Sequence, residues 1–345
     1  MSSPAFDVDK ALKRAVSYHK EGEIEKARHI YEEILETTPE HSDALHLLGV
    51  VAYQVGNNEK AIHLIHRAIR VNPSIPYYHN SLGEALKDQG SLDAAISSYK
   101  KALLLNHNYP EANKNMGSAL QARGKLDEAV SCYKKALKIK PEWAGTHNYL
   151  GSVYQEQGRI DEAIACYRRA VEIYPEYLDA YYNMGMALKE NRRMDEAIGC
   201  FRKAIQIKPD LAEAYNSLGI VLREQGKLDG AAVHYQKALA LSPGFSAAYN
   251  NLGNVFQEQC KLEDAIACYR KVLQIDPDYS DAYNQLVRQL EKACAWNDLS
   301  TLRARLDDLN EKALEGGKKC PEMPLVNITT EVSPKLCAIF SADHP

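Results

Sequence analysis

Asparagine recurs at two adjacent positions along this chain, at spacings that are multiples of 34 residues. At the first position, each asparagine stands directly before Leu-Gly or Met-Gly, and at the second it stands one residue earlier. The first set is Asn115, Asn183 and Asn251, and the second is Asn80, Asn148, Asn216, Asn250 and Asn284. Because an amide is both a donor and an acceptor, a row of amides can hold the main chain of an extended peptide. The alternative is that these amides satisfy neighbouring backbone or one another.

Acidic side chains form a second row, near the predicted starts of the same helices. The row consists of Asp43, Glu111, Asp179, Glu213 and Asp281. Carboxylates there could select Ser/Thr or basic side chains of a bound segment. They could equally be a favourable charge at a helix N-terminus, worth about 0.3–1 kcal/mol.

Catalytic patterns are not visible. The sequence has no HExxH, P-loop or dinucleotide glycine pattern, and no nucleophile–base–orienter order of the hydrolase kind. We therefore predict no catalytic residue and no cofactor, and the chain as given is not expected to be an enzyme.

Histidines and cysteines are the remaining candidate metal ligands. His41, His46, His63 and His66 crowd the first part of the chain, but without an acidic or thiol partner we predict no metal site there. Four cysteines share one phase of the period: Cys132, Cys166, Cys200 and Cys268. Equivalent positions on packed helices lie about 8–10 Å apart, beyond the roughly 7 Å Cα limit for a disulfide. These thiols are interpreted as small buried side chains rather than a disulfide or metal ladder.

Three residue types mark a period of 34 residues. Proline occupies Pro39, Pro73, Pro141, Pro175, Pro209, Pro243 and Pro277, with His107 at the one remaining position. Glycine occupies Gly49, Gly83, Gly117, Gly151, Gly185, Gly219 and Gly253. Alanine occupies Ala27, Ala61, Ala95, Ala129, Ala163, Ala197, Ala231 and Ala265, each followed four residues later by Tyr or Phe except at Ile65. Eight units with three markers in fixed phase indicate a repeat protein.

Each unit is predicted to contain two helices. In 178–211 the first runs from Asp179 to about Glu190 and the second starts near Met194, both with apolar residues at helical spacing. The glycine of the period would lie inside the first helix and allow a neighbour close approach. A further glycine between the helices suits a left-handed cap. Arg192 and Cys260 replace it in two units, so those turns are expected to be strained or differently shaped.

The repeat length and the order L-G…Y…A…F/Y…A…P resemble the tetratricopeptide repeat. The resemblance covers 8–279 in eight units: 8–41, 42–75, 76–109, 110–143, 144–177, 178–211, 212–245 and 246–279. It implies an all-α, right-handed superhelical solenoid of helix pairs, with the first helix of each pair lining an inner groove. We expect residues 280–315 to form a partial ninth repeat and a capping helix from Leu299 to about Leu314, and residues 316–345 an irregular, linker-like tail.

Within that family, the text of the repeats is similar to the arm of O-linked N-acetylglucosamine transferases and related O-fucosyltransferases. Segments such as "DAYYNMGMALKE" and "AAYNNLGNVFQEQ", and the Cys294-Ala295-Trp296-Asn297-Asp298 step, carry this resemblance. The family's two catalytic lobes are missing from this chain. In that family the asparagine directly before Leu/Met-Gly forms the peptide-holding ladder, which implies the same role for Asn115, Asn183 and Asn251. Leu47, Ser81, Tyr149, Ser217 and Gln285 interrupt the series.

Charge and hydropathy narrow the partners. The chain has 42 basic and 46 acidic residues, a net charge of −4 and no cluster of Lys/Arg, which argues against nucleic acid and anionic membranes as partners. No apolar run is long enough to span a bilayer and no secretion signal is visible, so cytosol or nucleus is expected.

The preferred hypothesis is a scaffold whose groove binds extended segments of client proteins, with a convex face through which a homodimer would form. The alternative is the N-terminal substrate-recruiting part of a protein O-glycosyltransferase of the UDP-N-acetylglucosamine type. A chaperone adaptor is disfavoured, because only Lys114 stands where such adaptors hold a carboxylate clamp.

Overall fold

Helices of two constant lengths alternate along the chain. The computed structural model describes residues 6–293 and 302–305, and within them the first helix of each pair has 13 residues and the second has 14. The first helices are α1 (Val8–Lys20), α3 (Ser42–Gln54), α5 (Pro76–Asp88), α7 (Pro110–Ala122), α9 (Ala144–Glu156), α11 (Leu178–Glu190), α13 (Ala212–Glu224), α15 (Ser246–Glu258) and α17 (Ser280–Lys292). The second helices are α2 (Ile24–Thr37), α4 (Asn58–Val71), α6 (Leu92–Leu105), α8 (Leu126–Ile139), α10 (Ile160–Ile173), α12 (Met194–Ile207), α14 (Leu228–Leu241) and α16 (Leu262–Ile275). The predicted all-α class and helix-pair repeat are confirmed.

The second helices all end two residues before the predicted stop. α12 ends at Ile207, ahead of Pro209, and α6 ends at Leu105, ahead of His107. Proline lacks an N–H and disfavours helical geometry in the residue before it. Since the helix also ends where histidine replaces proline, the stop does not depend on that one residue.

The turn between paired helices needs one left-handed residue. Glycine takes this conformation in six turns, with φ between 72° and 86°, whereas Arg192 and Cys260 adopt it at φ 59°. The hydrogen bonds around Cys260 match those around Gly226: Lys261 N donates to Phe256 O at 2.8 Å, and Lys227 N donates to Leu222 O at 2.9 Å. The expectation of a differently shaped turn is therefore wrong, while left-handed backbone at a side-chain-bearing residue agrees with the expected strain.

Replacing Cys260 with glycine should relieve this strain. A non-glycine residue in the left-handed region costs about 1–2 kcal/mol, and the larger unfolded-state entropy of glycine offsets about 0.5–1 kcal/mol of it. We expect Cys260→Gly to raise the free energy of unfolding by about 0.5–1 kcal/mol, measured by thermal unfolding. Gly226→Cys is the matched reverse change, since nothing lies within 4 Å of a Cβ built there. A stabilising effect of Gly226→Cys would contradict the strain argument.

The glycines inside the first helices allow the paired helix to pack closely. A Cβ built on Gly219 would lie 2.7 Å from Cε1 of Tyr235, and one on Gly83 would lie 2.5 Å from Cε1 of Tyr99. The aromatic rings occupy that space and are fully buried. In repeat 42–75 the isoleucine exception plays the same part, because Ile65 Cγ1 would lie 2.7 Å from a Cβ on Gly49. The predicted close approach is confirmed.

The chain divides into two compact units, residues 1–187 and 188–345. In the first unit, apolar side chains of α1 to α5 form one core cluster that includes Tyr31, Leu45 and Tyr78. In the second unit, a cluster built on α16 and α17 includes Tyr269, Leu286 and Leu290, with Leu302 packed against it. In both units the alanines of the period that were predicted to face a neighbouring helix are buried.

The predicted ninth repeat is present as its first helix, α17, with Val287 at the glycine position. Residues 302–305, within the predicted capping helix, are helical. The remainder of that helix, the Cys294–Asp298 step and the tail 316–345 lie outside the described residues.

Candidate functional site

The first helices of successive repeats form one layer in each unit. α3 contacts α5, α5 contacts α7 and α7 contacts α9 in the first unit, and α13 contacts α15 in the second. We call the surface of this layer the first-helix face. It carries both asparagine sets and the acidic row, because all of them belong to first helices.

Asparagines of adjacent repeats pair through their side chains. Nδ2 of the later residue donates to Oδ1 of the residue 35 positions earlier, so the bond joins the two asparagine positions across the repeat boundary. The three pairs are Asn115 with Asn80 at 3.1 Å, Asn183 with Asn148 at 3.2 Å, and Asn251 with Asn216 at 3.0 Å. Amides that satisfy one another across repeats, the alternative interpretation, thus account for part of their hydrogen-bonding capacity.

The two members of a pair differ in exposure. Asn148 and Asn216, whose oxygens accept the bond, are buried, whereas Asn183 and Asn251 are half-buried. Each donor uses one N–H in the pair, which leaves its other N–H and its carbonyl oxygen for another partner. The later member of each pair is therefore the one with capacity to bind something else.

Glu84 adds a carboxylate to the first pair. It accepts from Asn80 Nδ2 at 3.1 Å and from Asn115 Nδ2 at 2.9 Å, so Asn115 donates both of its N–H groups. Burial raises the pKa of Glu84, and Lys114 and the Asn115 hydrogen bond partly counter this effect. The sequence analysis missed Glu84, because no other repeat has an acid at its position and no periodic signal marks it.

Other residues take the paired positions where asparagine is absent or changed. His46 Nε2 lies 3.0 Å from Ser81 Oγ, at the same spacing of 35 residues. Asn250 and Gln285 stand at equivalent positions, yet Asn250 Oδ1 and Gln285 Oε1 are buried without a hydrogen-bond partner. The predicted Asn284 is half-buried on α17, beside this unpaired position.

The acidic row does not act as one uniform site. Asp43 accepts hydrogen bonds from Tyr77 at 2.9 Å and Tyr78 at 2.6 Å, and Glu111 forms an ion pair with Lys140. Asp179 and Glu213 are exposed. All five acids of the row lie in the first turn of their helices, where the positive end of the helix dipole favours negative charge.

A second set of contacts between repeats lies at the other end of the first helices. Tyr53 donates to Asp88, Gln121 to Glu156, and Arg223 to Glu258. A carboxylate near a helix C-terminus is unfavourable in the field of the dipole. Donors from the preceding repeat stabilise these acids, so their placement ties repeats together.

The histidines and periodic cysteines have structural surroundings. His41 Nδ1 accepts from Ala44 N and so caps α3, and His46 stacks on Tyr78 with ring centroids 4.7 Å apart. Burial lowers the pKa of His46 to about 4, although Asp43 acts in the opposite direction. Cys132, Cys200 and Cys268 are buried free thiols and Cys166 is half-buried, as predicted.

Two structural criteria bear on metals and membranes. Within residues 6–293 and 302–305, no group of three His, Cys, Asp or Glu side chains is arranged to hold a metal ion. In the same described part of the chain, no helix combines the length and apolar character that crossing a bilayer requires.

Family comparisons identify the repeat. Models described as tetratricopeptide repeat match residues 12–62, 46–113, 109–176, 143–209, 176–243 and 246–279. Together these matches cover well over half of the chain. No match was found among curated proteins.

Solved structures share the architecture. The crystal structure of MamA is 30% identical, with 47% of this chain and 95% of that chain covered at a TM-score of 0.46. YrrB, described as a TPR protein with an unusual peptide-binding site, is 24% identical, with 55% and 97% covered at 0.48. The APC/C hetero-tetramer Cut9–Hcn1 is 19% identical, with 81% of this chain and 55% of that chain covered at 0.53. The last likeness supports the fold alone.

Proposed function

Because this chain belongs to the tetratricopeptide repeat family, we propose that it is a protein-interaction scaffold whose first-helix face binds extended segments of client proteins. The observation that carries the proposal is the half-buried asparagine at the end of each inter-repeat pair. Asn183 and Asn251 each keep one N–H and the amide oxygen for a ligand, and these match the C=O and N–H of a peptide main chain.

The pairing itself supports this role. A side chain fixed by one hydrogen bond loses less rotamer freedom when it binds a ligand, so less of the binding energy is lost to ordering. Asn148 and Asn216 hold Asn183 and Asn251 in this way. Contacts to main chain rather than to side chains would let the face accept segments of varied sequence.

The test compares two variants that differ only in the later asparagines. The control, Asn148→Ala/Asn216→Ala, removes the buried members and keeps Asn183 and Asn251. The test variant adds Asn183→Ala and Asn251→Ala, so no buried amide oxygen of these pairs is left without its donor. Each lost peptide hydrogen bond is worth about 0.5 kcal/mol at a half-exposed site, so affinity for client segments should fall about fivefold relative to the control.

Client capture from lysate, measured by quantitative mass spectrometry, gives the comparison, and circular dichroism checks that both variants are folded. Arg202→Ala/Lys237→Ala changes two exposed residues of second helices and should leave capture unchanged. If the fourfold variant recovers the same clients in the same amounts as the control, the asparagines are structural and the proposal fails.

The transferase alternative rests on the sequence resemblance of the repeats and of the Cys294–Asp298 step, which lies outside the described residues. If this chain is the recruiting part of such an enzyme, the first-helix face would present client segments to a catalytic domain that this chain does not contain. Calorimetry with UDP-N-acetylglucosamine should then show no binding to the chain alone, and micromolar binding would contradict this division of labour.

A further inference from the structure

Repeat 110–143 contains a small site for a positive charge that the protein fills with its own lysines. The Lys140 ammonium group forms an ion pair with Glu111 and lies 5.0 Å from the centroid of the Trp143 ring. Lys114 Nζ lies 5.4 Å from the same ring. A carboxylate beside an aromatic ring attracts an ammonium group through both charge and cation–π interaction.

The same two binding groups recur in repeat 212–245 without the lysines. Glu213 stands at the position of Glu111, and Phe245 stands at the position of Trp143. Asn216 and Ser242 replace Lys114 and Lys140. No other repeat of the eight combines an acid at the second position, Phe, Tyr or Trp at the thirty-fourth and an uncharged residue at the thirty-first.

The backbone places these positions alike in the two repeats. α7 and α13 both span 13 residues, α8 and α14 both span 14, and the pairs begin at equivalent residues. The aromatic residue takes a similar conformation in both, φ −105° and ψ 86° at Trp143 and φ −81° and ψ 82° at Phe245. The position filled by Lys140 in one repeat therefore has a counterpart between Glu213 and Phe245 in the other.

The groups of the second site are accessible. Glu213 is exposed, Phe245 is half-buried, and among the described residues no hydrogen bond or ion pair engages the Glu213 side chain. In repeat 110–143, partial burial acts to raise the pKa of Glu111, but the hydrogen bond from Lys140 outweighs it and lowers the pKa. The protein's own example shows that an ammonium group stabilises a carboxylate at this position.

We propose that Glu213 and Phe245 form a binding site for a lysine side chain of a client segment held on the first-helix face. The inference rests on the proposed scaffold function and adds a side-chain preference to it. The asparagines would hold main chain, while the Glu213 carboxylate pairs with the lysine ammonium group and the Phe245 ring covers its methylene chain. Segments with a lysine in register with α13 would be favoured over otherwise equal segments.

The test uses ¹⁹F NMR of the full chain labelled with 4-fluorophenylalanine. The chain has five phenylalanines, and Phe245→Leu identifies the Phe245 resonance. The probe is N-acetyl-lysine methylamide at low ionic strength, and the uncharged control ligand is N-acetyl-norleucine methylamide. We expect a saturable shift of the Phe245 resonance with the lysine probe and none with the norleucine probe.

Two variants examine the mechanism of binding. Glu213→Gln removes the charge with little change in shape and should weaken the probe about threefold to fivefold, the range for one exposed ion pair. Ser242→Lys should supply an internal ammonium group, as Lys140 does, and abolish the response to added probe. Glu263→Gln changes an exposed acid on second helix α16 and should bind the probe like the parent.

A parent protein without a saturable Phe245 shift, or one whose response survives Glu213→Gln unchanged, overturns the site. Equal responses to lysine and norleucine also overturn it, because they would show apolar contact without charge recognition. This result is separable from the scaffold proposal, since the titration uses an isolated lysine and the asparagine variants leave Glu213 and Phe245 intact. Client capture that depends on the asparagines beside a silent Phe245 would remove the lysine site alone.

Discussion

Gly219→Val is expected to lower the free energy of unfolding by about 3 kcal/mol, the upper part of the usual range for overpacking a core. The Cβ alone would lie 2.7 Å from Cε1 of Tyr235 and 2.9 Å from its Cδ1. The ring cannot move aside, because Tyr235 is fully buried between its neighbours. The two methyl groups of valine add further crowding, so either the ring leaves its place or α13 and α14 separate.

Gly199→Val is the matched control in the same unit. Gly199 also lies inside a helix, α12, but is exposed and has nothing within 4 Å of a Cβ built on it. Valine is a slightly better helix former than glycine, so this variant should be neutral or slightly stabilising. Because the change in residue is the same, the difference between the two variants isolates the contact with Tyr235.

Thermal unfolding with hydrogen exchange read by mass spectrometry provides the measurement. Stability in a repeat array depends mainly on adjacent repeats, so faster exchange should concentrate in α13 and α14. Equal effects of Gly199→Val and Gly219→Val would show that helix propensity, and not packing, explains the glycine of the period.

The helix pairs were predictable because each of their determinants recurs in the sequence. The glycine at 219, the alanine at 231 and the aromatic residue at 235 fix the phase of α13 against α14, and eight copies of the pattern remove the ambiguity of a single short helix. The turns at Arg192 and Cys260 were less predictable. Residue preference suggested a different shape, but the surrounding helix pair imposes the left-handed conformation on whichever residue occupies the position.

The candidate site could be predicted only in part. Sequence spacing identified the two asparagine positions, but not that they join at an offset of 35 residues, which depends on how adjacent first helices are staggered. Glu84 and the Lys140–Trp143 contact each occur in one repeat, so a method based on recurrence has no signal for them. Their detection requires side chains placed in three dimensions.

The asparagine pairs have unequal members, and this inequality has a measurable consequence. In the bond from Asn251 to Asn216 the acceptor is buried and the donor is half-buried. Water can replace the partner of the half-buried Asn251 when Asn216 is removed. It cannot readily reach the Asn216 oxygen when Asn251 is shortened, so loss of the same hydrogen bond should have different costs from its two sides.

Asn251→Ala is therefore expected to lower the free energy of unfolding by about 1–3 kcal/mol, the cost of leaving a buried acceptor unpaired. Asn216→Ala should cost about 0.5–1 kcal/mol, the net worth of one hydrogen bond whose remaining partner can turn to solvent. The double variant should lose less than the sum of the two, because removal of both groups leaves nothing buried and unpaired. Denaturant unfolding of the four proteins in one cycle, with hydrogen exchange in α13 and α15, gives these values. Equal single losses that add in the double variant would mean that the two amides do not interact in solution, and the pairing could not then position Asn251 for a ligand.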